Sequence, residues 1–279
     1  MRIVITGSDG QLGRALQSVF SSDDLYLVDL PRYDITKTTT IVPTLRAFRP
    51  ELVIHCAAMT NVDGCERDPR LAESVNVVGT RNMGLVAGQS GCPMVYVSTD
   101  YVFDGAREGE TSEWDRPSPQ SVYARTKWLG EEAARQLVGQ LYVVRVAWLY
   151  GDGPRNFVRT VLRLAQEGGP LRMVTDECGS PTYAVDVARA LARLVTTAAY
   201  GTYHLPNAGV CSRYDWAATI LELAGLREGV DLEPMTNYQR AAVVPKRVAL
   251  RNYNGAHEGI VMRPWLEALA EYMRLLQGE

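Results

Sequence analysis

Short apolar runs alternate with amphipathic stretches through the first half of the chain. RIVIT precedes GQLGRALQSVF, LYLVDL precedes TTTIVPTLRAF, ELVIHCAA precedes DPRLAESVNVVGTRNMGLVAGQS, PMVYVSTD precedes SVYARTKWLGEEAARQLV, and LYVVRVAWLYG follows. Near-continuous apolar strands separated by helix-length segments are the pattern of a parallel sheet buried on both faces. The expected fold is therefore α/β, with a doubly wound parallel sheet. Asp68-Pro69 supplies an N-cap and a first-turn proline for a long helix, which Gly91 and Pro93 close. Beyond Gly151 the rhythm loosens at GDGPRN, QEGGP and DECGSPT, which predicts a smaller lobe interwoven from several C-terminal segments.

The length of 279 residues allows one large α/β unit or two closely joined lobes. With 46% apolar residues, 22% charged residues and a net charge of -3, the chain has the composition of a soluble globular protein. It offers no basic field for nucleic acid. The five cysteines are scattered and the three histidines share no ligand spacing, so neither a disulfide framework nor a metal site is expected. No apolar run approaches a membrane span and no leader pattern precedes the first strand, which predicts a cytoplasmic protein without membrane attachment.

Gly7, Gly10 and Gly13 form G-x-x-G-x-x-G where the first strand meets the first helix. Such a loop can bind a dinucleotide: one glycine permits the turn, one lets a pyrophosphate approach the backbone, and one lets helix and strand pack. The same glycines also suit a plain strand-to-helix turn. Asp29, at the end of LVDL, stands about 20 residues beyond the loop, where an acid hydrogen-bonds an adenosine ribose. Asp29 favours NAD and Arg32 favours NADP, so either NADH or NADPH is expected.

Tyr123 and Lys127 lie one turn apart in SVYARTKWLGEE and share a helix face. An ammonium beside a phenol favours phenolate and brings its proton within reach of carbonyl chemistry. By itself this spacing is common in amphipathic helices. YVSTD adds a strand whose polar end carries Ser98, Thr99 and Asp100 to the carboxyl edge of the sheet, where such folds bind ligands.

Together these stretches resemble the extended branch of the short-chain dehydrogenase/reductases, with TGSDGQLG as the glycine loop. Within it the chain is similar to the dTDP-4-dehydrorhamnose reductases along nearly its whole length, through CAAMTNVDGCE, NVVGTRN, STDYVFDG, YARTKWLGE, RVAWLYG, GSPTYAVDVA and GTYHLPNAGVCSRYDWA. The resemblance implies a Rossmann-like NAD(P)-binding domain of residues 1–150, plus roughly 182–208 and 236–252. The substrate-binding lobe would comprise roughly 151–181, 209–235 and 253–279. It further implies that Gly10, Gln11 and Leu12 cover the pyrophosphate, with Asp29, Asp34 and Ile35 around the adenosine. Ala57, Ala58, Met59 and Val97 would follow the cofactor to its nicotinamide. Thr99, Tyr123 and Lys127 would be catalytic, with Lys127 also holding the nicotinamide ribose. Thr99, Asp100, Trp148 and Asn156 would face a nucleotide sugar. The implied protein is a monomer or homodimer.

Departures from the family pattern bear on the sugar. Val146 and Ala147 replace two hydroxyl residues in RVAWLYG, and VPKRVAL brings Val244 and Val248 where an Arg and a Ser are usual. Arg14-Ala15 stands where some members carry a magnesium-binding glutamate, so no metal is expected. Two alternatives accompany this reading: a reductase or epimerase of another nucleotide sugar, and a non-catalytic cofactor-binding subunit resembling the regulatory subunit of methionine adenosyltransferase. His55 is expected at a strand edge, His204 in sheet hydrogen bonds, and Trp114, Trp216 and Trp265 in packing. The polar stretch from Asp104 to Gln120 is expected to be a surface loop.

Overall fold

The computed structural model describes residues 1–153 and 155–278; Pro154 in the GDGPRN loop and Glu279 at the end of the expected lobe lie outside the described residues. Strands β1 (Arg2–Thr6), β2 (Asp24–Val28), β3 (Leu52–His55), β4 (Met94–Thr99), β5 (Leu141–Val146) and β6 (Gly201–His204) form a six-stranded sheet in the order β6-β5-β4-β3-β1-β2. Every neighbouring pair is parallel. The doubly wound sheet read from the alternation of apolar runs is thus present.

Successive side chains point to opposite faces. Ile3, Ile5, Ile54, Val95, Val97 and Val144 meet helices α1 (Gln11–Val19) and α5 (Ala184–Leu194) on one face. On the other, Val4, Val53, Met94, Tyr96 and Val143 meet α2 (Thr38–Ala47), the helical run α3 (69–90) and α4 (Val122–Leu137). Asp68 caps α3 by accepting the Leu71 N–H at 3.0 Å, and Gly91 ends it at φ 66°. The chain leaves β1 for the edge strand β2 and returns across β1 to β3. The connections after β1 and β3 therefore diverge and open a crevice at the carboxyl edge.

A second core gathers Val158, Val161, Trp216, Ile220, Leu269 and Tyr272 from helices Phe157–Glu167, Arg213–Leu223 and Trp265–Gln277. Ile260 and Met262, from the stretch assigned by sequence to this lobe, join the α1/α5 face of the large sheet instead. Two apolar residues at i and i+2 carry no periodicity that would have separated them from the helix following. Trp216 and Trp265 are buried as expected, whereas Trp114 is 66% exposed and packs edge-on against Tyr253.

His55 ends β3 as expected, and because that strand is interior the imidazole is fully buried. Its Nδ1 lies 2.6 Å from the Thr6 hydroxyl and its Nε2 3.0 Å from that of Thr80. Thr80 donates to the Asn76 carbonyl at 2.6 Å, which assigns the ring proton to Nε2. Burial above all, then the charge of Lys127, pushes His55 down to about 3; burial, then Arg145, does the same to His204. Both fold neutral, so the stability they contribute is present above the unfolded histidine range and is lost as pH falls from about 6.5 toward 3. Asp100, raised to about 6 by burial, works in the opposite sense below that pH. Denaturant titrations between pH 6.5 and 4.5 should show His55→Gln flattening the slope of stability with pH by about 1.4 kcal/mol per unit, one proton's worth. An unaltered slope would mean that His55 does not fold neutral.

Candidate active site

The three glycines of the first loop do different work. Gly7 sits at φ +67°, and a Cβ there would lie 2.8 Å from the Ala57 nitrogen. A Cβ on Gly13 would lie 2.2 Å from the Gly7 carbonyl oxygen and 2.6 Å from Ser8 Cα, so this glycine lets α1 pack on the turn. At Gly10 an added Cβ meets only the Gly7 oxygen, at 3.1 Å, and the residue borders open space. Gly10 caps α1 without a side-chain bond and no acid occupies the first turn. The first amides of α1 therefore lack an intrahelical acceptor and face the crevice, an arrangement that receives an anion. A dinucleotide pyrophosphate fits this cradle.

The crevice is a cleft of about 670 Å³ running from this turn to the ends of β4 and β5 and the second lobe. Gly7, Gly10, Gln11, Leu12, Gly13, Asp29, Asp34, Ile35, Ala57, Ala58 and Val97 all line it, as do Thr99, Asp100, Tyr123, Lys127 and Trp148. Asp29 accepts the Asp9 N–H at 2.9 Å and the Leu30 N–H at 2.8 Å, so the acid at the end of β2 also ties down the glycine loop. Asp34 accepts the hydroxyl of Thr36 at 2.7 Å and its N–H at 2.9 Å, bonds that hold its carboxyl below the usual range.

Three expected residues stand off the wall. Arg32 is exposed, its guanidinium 5.0 Å above the Tyr33 ring, and Tyr33 rather than Arg32 borders the cleft. Met59 packs beside Cys65, Ala72 and Tyr123 instead, its N–H donated to Asn76 Oδ1 at 2.8 Å. Asn156 is the N-cap of the helix Phe157–Glu167. It accepts the Arg159 N–H at 2.8 Å and donates to the Gly151 carbonyl at 2.7 Å and the Tyr272 hydroxyl at 2.9 Å. With its amide committed inside the lobe, it presents no group to the cleft.

Thr99 ends β4, and Tyr123 and Lys127 project from α4 into the same part of the cleft. Lys127 is buried, donates to the Val97 carbonyl at 2.7 Å and lies 4.2 Å from the centre of the Tyr96 ring. Burial lowers its ammonium to about 8 against the opposing pull of Glu131. Burial raises the Tyr123 phenol well above its ordinary value, and the main opposing pull is a hydrogen bond with Thr99. The hydrogen bond with Thr99 is thus the main influence that favours ionisation of the phenol, while the Lys127 ammonium donates to the Val97 carbonyl. Thr99 also donates to Asp100 at 3.0 Å, and burial pushes that carboxyl up to about 6 against Thr99 and Arg213. Burial likewise raises the Cys56 thiol to about 12, which leaves it inert.

Trp148 lines the cleft where it meets the second lobe. Its backbone sits at φ 44°, rare for an aromatic residue, and its indole stacks 5.6 Å from that of Trp216. Gly179 makes room, since a Cβ there would lie 2.6 Å from Trp148 Cε2. Sequence reading gave no role to Asn76, Tyr101 or Arg213. Asn76 sits in the π-helical turn Ser74–Gly79 within α3 and bonds both Met59 backbone groups, at 2.8 and 3.3 Å, and the Thr126 hydroxyl at 3.0 Å. A buried asparagine among apolar helix positions was the available signal. Tyr101 and Arg213 line the cleft through folding alone. No group of residues able to hold a metal ion is found among the described residues.

Residues 1–277 match the family described as RmlD substrate binding domain. A spore coat polysaccharide biosynthesis protein of Bacillus subtilis is 33% identical over 275 residues, covering 98% of this chain and 97% of its own. The dTDP-4-dehydrorhamnose reductase of Mycobacterium tuberculosis is 35% identical over 280 residues, covering 96% of this chain and 91% of its own. Among solved structures, a dTDP-4-dehydrorhamnose reductase from Clostridium acetobutylicum superposes with a TM-score of 0.96 at 40% identity, over 99% of this chain and 100% of the other. One from Bacillus anthracis, in complex with NADP, gives 0.93 at 34% identity, over 100% and 99%.

Proposed function

The chain belongs to the RmlD substrate binding domain family, and from this and the chemistry of its cleft we propose that it reduces the C4 ketone of dTDP-4-dehydro-L-rhamnose to dTDP-L-rhamnose with NADPH or NADH. The observation that carries the proposal is the meeting of Thr99, Tyr123 and Lys127 in a cleft continuous with the uncapped amides of α1. A reduced nicotinamide held along that cleft would supply the hydride for the ketone carbon. Tyr123 donates its proton to the ketone oxygen, and Thr99 steadies that oxygen as charge develops. A phenol raised by burial is protonated at neutral pH, the state a donor needs. Lys127 would hold the nicotinamide ribose with the N–H donors that the Val97 carbonyl leaves free. Asp100 and Trp148 orient the sugar, and Val146 leaves its part of the cleft wall without a hydroxyl.

No helix among the described residues is long and apolar enough to cross a membrane. The enzyme would act in the cytoplasm as a monomer or homodimer. The deciding assay supplies purified protein with each reduced cofactor and dTDP-4-dehydro-L-rhamnose, follows loss of nicotinamide absorbance and identifies the sugar formed. Cofactor consumption only with another 4-keto sugar nucleotide would reassign the substrate, and none with any would sink the reductase reading.

Gly179→Ala tests the placement of Trp148. The new methyl group collides with the indole, and a displaced sugar should lower kcat/KM on the order of 10²-fold. Cofactor affinity, set at the far end of the cleft, should hold. A kinetically normal variant would remove Trp148 from sugar positioning.

A further inference from the structure

Arg213 opens the lobe helix Arg213–Leu223 and, among the described residues, is the only cation besides Lys127 on the cleft wall. Its guanidinium lies 3.6 Å above the centre of the Trp148 ring, with Phe157 and Trp216 at 5.3 and 5.6 Å. Stacking occupies the flat face of a guanidinium and leaves its five N–H donors in the plane. The carboxylates whose charge acts on Arg213 are engaged elsewhere: Glu177 pairs with Arg240 at 2.7 Å, and Asp100 accepts the Thr99 hydroxyl. Among the described residues no side chain completes the Arg213 fork with a hydrogen bond or an ion pair. Lys127, donating to the Val97 carbonyl and lying over the Tyr96 ring, belongs to the sheet side of the cleft rather than to the lobe.

We propose that Arg213 receives the diphosphate of the sugar nucleotide, a paired acceptor meeting the in-plane donors while Trp148 fixes the plane. The inference rests on the reading of the substrate as a nucleoside-diphosphate sugar. Such a reaction brings two diphosphates into one cleft. The uncapped amides of α1 serve the cofactor's, at the end of the cleft formed by β1 and β3. The substrate's needs a cation on the lobe side, and a 4-keto-6-deoxy sugar offers that cation no other anion. Bidentate guanidinium-to-phosphate bonds are the strong, oriented kind.

The test is binding of dTDP and of thymidine to the full chain by calorimetry. Arg213→Met keeps an unbranched stem over Trp148 and removes the fork. It should weaken dTDP by about tenfold or more while affinity for thymidine and NADPH stays unchanged. Equal dTDP affinity in the parent and R213M overturns the proposal and leaves Arg213 a packing residue. Should R213M also lose NADPH, R213K decides: a several-fold loss of dTDP with NADPH intact supports the proposal, and undiminished dTDP affinity overturns it. Because binding is read without turnover, a parent inactive on dTDP-4-dehydro-L-rhamnose sinks the substrate reading alone, and the Arg213 result still stands or falls by itself.

Discussion

Tyr123→Phe is expected to lower turnover by roughly 10²- to 10⁴-fold, the usual cost of removing a general acid, with cofactor affinity almost unchanged. The substitution deletes one oxygen from a ring packed edge-on against Tyr101 and leaves that packing in place. What it removes is the phenol that stands beside Thr99 on the cleft wall and carries a proton for a ketone oxygen at neutral pH. Thr99 is much the weaker acid, and Lys127, with one of its three N–H donors on the Val97 carbonyl, keeps the others for the nicotinamide ribose. Steady-state rates with either reduced cofactor, beside cofactor binding, check this. Full turnover in the phenylalanine variant would take the phenol out of the proton path.

Glu131→Ala carries the largest expected effect on stability. Its side chain is 1% exposed and grips Arg145 at both oxygens, Oε2 to Nη2 at 2.7 Å and Oε1 to Nε at 2.9 Å, while Oε1 also accepts the Ser98 hydroxyl at 2.7 Å. Truncation would strand a buried guanidinium whose other described contacts are the His204 ring nitrogen at 3.4 Å and the face of Phe103. Breaking one side of a buried pair costs about 3–5 kcal/mol, to be read from the urea midpoint. A loss below about 1 kcal/mol would mean that water reaches Arg145 readily. Glu131 also raises the Lys127 ammonium against burial. Glu131→Gln should therefore lower Lys127 further, moving the alkaline limb of the pH–rate profile to lower pH.

The sheet was legible because its strands are buried on both faces and so appear as unbroken apolar runs, each followed by a helix. The glycine loop was legible for a similar reason, since Gly7, Gly10 and Gly13 act within one turn and their spacing carries the geometry. Strand ends are also local, and Thr99 and Asp100 reached the cleft as β4 dictates. Errors fell where tertiary contacts decide. Arg32 has the right charge for a cofactor phosphate, yet the bend after β2 turns it onto Tyr33. Asn156 precedes an amphipathic helix, and that position should have marked it as a cap. Glu131 and Glu132 are neighbours in sequence, and only the fold distinguishes the buried ion-pair partner from the half-exposed acid beside it. Arg213 gave no signal, because its place depends on a lobe helix docking against Trp148 from 65 residues away.

The left-handed backbone at Trp148 and the missing side chain at Gly179 impose a rule on recombination. Residue 148 follows the last sheet strand before the lobe, whereas residue 179 comes from a short two-stranded ribbon paired with Cys211–Ser212. A chimaera that draws these two positions from different parents, one bringing the indole and the other a bulkier residue, would set them in collision. Crossover points that transfer both together should yield hybrids that keep the aromatic floor, whatever sugar the exchanged lobe selects.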